Sequence, residues 1–142
     1  MARSIALLSA VPFVIGSAPA GRLDVEISGM RSDKGRLFLC LTRQARHFPD
    51  CEDDSHARII DVAAAGEERL VFDQLPSGSY ALSVFHDENG NGRLDTFLGM
   101  PREGFGFSRN PPIRFGPPRF GEARFDIAAG TTSQSVKMRY LL

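Results

Sequence analysis

Leu75-Pro76-Ser77-Gly78-Ser79-Tyr80-Ala81-Leu82-Ser83-Val84 is the stretch whose reading decides the fold. Pro76 and Gly78 make a turn, because proline presets its backbone angle and glycine tolerates conformations other residues avoid. Tyr80, Leu82 and Val84 then alternate with Ser79, Ala81 and Ser83. A period of two places one set on each face of a β-strand. A tyrosine just inside a strand after such a turn fits a tyrosine corner, with its ring buried and its hydroxyl returned to backbone.

The same alternation recurs on both sides of this strand. Leu23, Val25 and Ile27 alternate with Asp24, Glu26 and Ser28, and Leu70 and Phe72 with Arg69, Val71 and Asp73. Phe125 and Ile127 alternate with Arg124 and Asp126, and Val136, Met138 and Tyr140 with Ser135, Lys137 and Arg139. Ala57 to Val62 is a short strand, and Ala63 to Gly66 a turn or a single helical turn. Arg36 to Leu41 is apolar on both parities, which predicts a central strand. No amphipathic helix emerges. The expected fold is all-β: a single seven-stranded antiparallel β-sandwich, immunoglobulin-like or prealbumin-like, with a small closed barrel as the runner-up.

Residues 96–121 break the alternation with five glycines, five prolines and five phenylalanines. Flexible segments rarely carry so many aromatics. This long Gly/Pro/Phe-rich loop is expected to pack its rings on the sandwich, either covering a sheet edge or framing a shallow pocket.

The strand from Tyr80 runs into His86-Asp87-Glu88-Asn89-Gly90-Asn91-Gly92-Arg93-Leu94-Asp95. Counted from Asp87, oxygen side chains fall at positions one, three, five and nine, and a glycine at six, which is the front half of an EF-hand-type calcium loop. Asp87, Asn89, Asn91 and Asp95 would supply side-chain oxygens and Arg93 its carbonyl. The twelfth position is Leu98, so the usual bidentate glutamate is missing, and Glu103 or another loop would replace it. Such a shell predicts a calcium affinity on the order of 0.1–1 mM. The alternative is an Asx-rich turn that satisfies its own backbone without metal. His86 has the parity of the core, so it and Asp87 point to opposite faces and form no dyad by adjacency. A structural histidine is the simpler reading. A zinc site from His47, His56 and His86 has no supporting spacing, and Ser83 and Ser108 have no visible base.

Residues 1–20 are expected to be a signal peptide: Arg3, a mostly apolar run from Ile5 to Ile15, and small residues at Ala18-Pro19-Ala20. Residues 21–142 would form the mature domain, periplasmic or secreted, of a size for one core. Lysine plus arginine and aspartate plus glutamate number 17 each, and losing Arg3 leaves the mature chain at −1. With no basic block, nucleic acid is not an expected partner. No second hydrophobic run reaches spanning length, so no transmembrane segment is expected after signal removal. In an oxidising compartment Cys40 and Cys51 are expected to pair; the alternative is two independent thiols.

The run from His86 to Asp95, then Gly99-Met100-Pro101-Arg102-Glu103-Gly104-Phe105-Gly106-Phe107-Ser108 and Phe115-Gly116-Pro117-Pro118-Arg119-Phe120, resembles DUF2141, a family of exported bacterial proteins of unknown function. The resemblance covers nearly all of residues 21–142 and implies an exported single-domain β-sandwich, with no activity to carry over. Leu75 to Asp95 is also similar to prealbumin-like and Cna-B-like modules, a likeness of architecture only. The expected function is therefore an exported non-enzymatic sandwich that binds calcium structurally and meets an envelope protein or glycan. The alternatives are a small metal-dependent hydrolase built on His86 and nearby acids, or a carbohydrate-binding module presenting phenylalanines.

Overall fold

The computed structural model describes residues 10–16, 19–65, 68–92, 96–97 and 100–142. Its strands are β1 (Gly21–Ser28), β2 (Arg36–Thr42), β3 (Arg58–Ala63), β4 (Glu68–Leu75), β5 (Gly78–Asp87), β6 (Thr96–Phe97), β7 (Met100–Pro101), β8 (Gly104–Phe107), β9 (Phe125–Ile127) and β10 (Gly130–Lys137). The fold is all-β, as the alternation requires. β10-β1-β4 form a three-stranded sheet, and β3-β2-β5-β8, with β9 on the early part of β5, form a five-stranded one. β6 and β7 pair with each other.

Two details of the expected seven-stranded antiparallel sandwich are corrected. Among the described residues the two sheets hold eight strands, because the Gly/Pro/Phe-rich segment contributes β8. One pairing is also parallel: β1 runs alongside β10 from Gly21↔Gly130 to Ser28↔Lys137. The remaining pairs are antiparallel. Strands that open and close a chain can be laid side by side in the same direction because the whole domain serves as their crossover.

The core is the dry layer between the sheets. Leu23, Val25 and Ile27 of β1 face Leu37, Leu39 and Leu41 of β2 and Leu82 and Val84 of β5 in one aliphatic cluster. Tyr80 is buried there, and its hydroxyl donates to the Pro76 carbonyl at 2.6 Å, which completes the expected corner. Burial pushes the Tyr80 hydroxyl pKa up.

β8 explains its glycines. A Cβ on Gly104 would lie 2.4 Å from the Tyr140 ring, and one on Gly106 2.6 Å from Val136. The bare backbone lets the β10 side of the molecule come close enough for Phe105 and Arg139 to exchange two hydrogen bonds, 3.1 and 2.8 Å. These bonds tie the two sheets together along one side. On the other, β3 and β4 each have one strand neighbour among the described residues.

The outer face of the five-stranded sheet is also covered. Cys40 and Cys51 form a disulfide, which holds the loop carrying Phe48 and Pro49 over β2 and β5. From the other side, Ala123 of the short helix α1 (Phe120–Ala123) packs with Ala81, Phe105 and Phe107. Ser108 is fully buried at the end of β8. Its N–H donates to the Leu82 carbonyl, and its hydroxyl accepts from the Leu82 N–H while donating to the Ala123 carbonyl.

Candidate functional site

The loop leaving β5 is organised by two buried carboxylates. Asp87 closes the strand with no exposed surface. Its Oδ1 accepts the Asn91 N–H at 3.2 Å, and its Oδ2 accepts the Gly92 N–H at 2.7 Å. The Asn89 side-chain oxygen also accepts the Asn91 N–H, at 3.1 Å. Glu103, 4% exposed, reaches back from just before β8. Its Oε1 accepts the Glu88 N–H at 3.1 Å and the Asn89 N–H at 3.4 Å. Asp87 and Glu103 thus hold the two halves of one turn. Gly90 and Gly92 sit at φ +70° and +75°, with open space where a Cβ would be. Glycine is needed there for the left-handed backbone and not for room.

Of the residues expected to bind a metal, Asp87, Asn89 and Asn91 are brought together on this turn, and Glu103 joins them. Arg93 and Asp95 lie outside the described residues. Among the described residues no three histidine, cysteine, aspartate or glutamate side chains form a metal-holding group. The zinc triad of His47, His56 and His86 therefore does not assemble.

His86 lies beneath the loop, fully buried. Its Nε2 is 2.7 Å from the Lys34 carbonyl, which can only accept, so Nε2 carries the proton. Nδ1 then accepts from the Tyr140 hydroxyl at 2.7 Å. Both ring nitrogens are engaged by neutral partners, so among the described residues His86 makes no hydrogen bond to the acids a hydrolase would need.

Arg31 fastens this assembly. Its guanidinium lies over the Tyr140 ring at 4.5 Å, pairs with Glu88 at 2.6 Å, and donates to the carbonyls of Arg102 and Leu142. Burial pushes the Glu88 carboxyl up, but bonds from Arg31 and Ser32 outweigh it and hold the group below its ordinary value. The bond to Glu88 raises Arg31 in turn. Tyr140 is raised by burial. Sequence reading missed Arg31 and Tyr140, because nothing near them in the chain marks them. Tyr140 is 54 residues from the histidine it serves.

Phe105 and Phe107 are 8% and 7% exposed. They are covered by the chain's own segments and do not form the flat exposed platform that a sugar-binding reading needs. Among the described residues no helix is long and apolar enough to cross a membrane.

A sequence profile described as an uncharacterized protein conserved in bacteria (DUF2141) matches residues 25–135. No curated protein and no solved structure matches the chain.

Proposed function

The chain belongs to the bacterial DUF2141 family, and we propose that it is an exported, non-enzymatic β-sandwich that binds calcium structurally at the 87–103 loop and engages an envelope protein or glycan. The observation that carries the metal reading is the approach of two buried carboxylates, Asp87 and Glu103, to the backbone amides of a single turn. Two carboxylates with little access to water repel each other unless a cation or donors offset them. Each Asp87 oxygen accepts one N–H of the turn, and a carboxylate oxygen can take a second partner. Calcium takes six to eight oxygens in flexible geometry. The carboxylates of Asp87 and Glu103 and the amide oxygens of Asn89 and Asn91 would hold it, with Arg93 and Asp95 completing the shell. The ion would act as a cross-link between the end of β5 and the start of β8.

Export is supported by the pattern of residues 1–20 and by the start of β1 at Gly21, directly after the expected cleavage position. Val11, Phe13, Val14 and Ile15 of the apolar run are more than four-fifths exposed and contribute nothing to the core. The Cys40–Cys51 disulfide fits an oxidising compartment.

The test is a melting curve. About 10 mM calcium against a dissociation constant of 0.1–1 mM would stabilise the protein by about 1.4–2.7 kcal/mol. For a domain of this size that is a rise in Tm of about 5–10 °C. Asp87→Asn keeps one acceptor for the turn and should remove most of the calcium increment. A curve that calcium does not move ends the metal reading. Mass spectrometry of the mature chain checks the cut after Ala20.

A further inference from the structure

We propose that the outer face of the five-stranded sheet carries a binding site for a small ring-bearing amine. Register puts the rings there. Phe38 pairs with Phe85 and Phe85 with Phe105 in one row across three strands, and Cys40, Ser83 and Phe107 form the next row. Phe38 and Phe85 stack at 6.1 Å between centroids with planes 20° apart, and both stay half-buried. The disulfide loop rises on one side at Pro49, and the Phe-rich segment on the other at Ile113 and Pro117. Between them lies a half-open cavity of about 700 Å³. That is within the roughly 300–1,000 Å³ of sites that take small molecules.

The polar side chains lining this cavity specify the charge of its occupant. They are Asp50, Glu52 and Ser83, with no lysine, arginine or histidine among the described lining residues. The Ser83 hydroxyl spends its proton on the Pro49 carbonyl, so its remaining capacity is to accept. The side-chain groups therefore offer acceptors and negative charge beside aromatic faces. Among the described lining residues an anion would meet two carboxylates and no counter-charge. A protonated amine on an apolar ring would satisfy the carboxylates at the rim and lay its ring on the phenylalanines.

The experiment titrates the full chain with two dansyl probes of opposite charge, dansylcadaverine and dansylglycine, in EDTA, because the inference does not depend on calcium. Saturable, blue-shifted fluorescence is expected, with the cationic probe binding at least about fivefold tighter, the factor one close unit-charge pair supplies in water. Asp50→Asn with Glu52→Gln should erase that preference. Asn retains the oxygen that accepts the Glu52 N–H. If the double variant does not fold, Glu52→Gln alone, at an exposed position, should reduce the preference. Equal affinity for the two probes, a preference that survives these substitutions, or emission that never saturates would overturn the proposal.

Discussion

On the inner face of β2 and β5, Leu37, Leu39, Leu41, Leu82 and Val84 are sealed against the three-stranded sheet. On the outer face the same two strands carry Phe38, Cys40, Ser83 and Phe85, roofed by a disulfide loop and the Phe-rich segment. Those five inner residues are aliphatic and 1% exposed or less. The outer layer is aromatic, leaves a cavity and is held by a covalent tether. One sheet thus separates a surface that stabilises the fold from one that is shaped beyond what stability requires. The largest test of that contrast is a matched pair of truncations. Leu39→Ala should cost about 2–5 kcal/mol, as fully buried leucines do. Phe85→Ala removes more atoms but should cost only about 1–2 kcal/mol, because its ring is already partly in water. Urea midpoints at equal m-value measure both. Equal losses would mean that the outer face is core.

Next in size is the tether. Replacing Cys40 and Cys51 together by alanine opens a loop of sequence separation 11 and should cost about 2–3 kcal/mol in the chain-entropy account. The contrast predicts where the loss appears. Hydrogen exchange should quicken through residues 44–57 and 105–113 while β1 keeps its protection, since its partners β4 and β10 belong to the other sheet. Uniform loosening of both layers would show that the cover and the sandwich unfold as one.

The inner layer was the legible one. Alternation announces the buried faces of β1, β4, β5 and β9, and the doubly apolar run of β2 marks it as central, so these strands could be placed from residues alone, as could the Tyr80 corner. β8 was not, because Gly104-Phe105-Gly106-Phe107 puts glycine on the core side, and a strand without inward side chains looks like a loop. The parallel pairing of β1 with β10 was also hidden, since a strand's pattern states which face is dry and not which way its neighbour runs. For the candidate site, the Asp87-to-Gly92 spacing was visible and Glu103 could be named as a substitute ligand. The anchoring of His86 by Tyr140 and of Glu88 by Arg31 could not be read, because these contacts join distant segments and repeat with no period.

The smallest expected effect concerns the fastening of the outer cover to β2. The Thr42 hydroxyl donates to Asp54 Oδ2 at 2.6 Å, and Oδ1 accepts the His56 N–H at 3.0 Å. These bonds, the hydroxyl's foremost, hold the Asp54 carboxyl below its ordinary value against the opposing push of burial. A folded pKa below the unfolded value of about 3.9 gives stability that is present in full above that value and lost as pH falls through the lower folded one. Wild-type stability should therefore decline on acidification more than that of Asp54→Asn, which has no proton to take up there. The two curves should run parallel above about pH 5. Urea midpoints from neutral to acid pH measure the difference, and acid limbs of equal slope would show that this bond does not couple the cover to protonation.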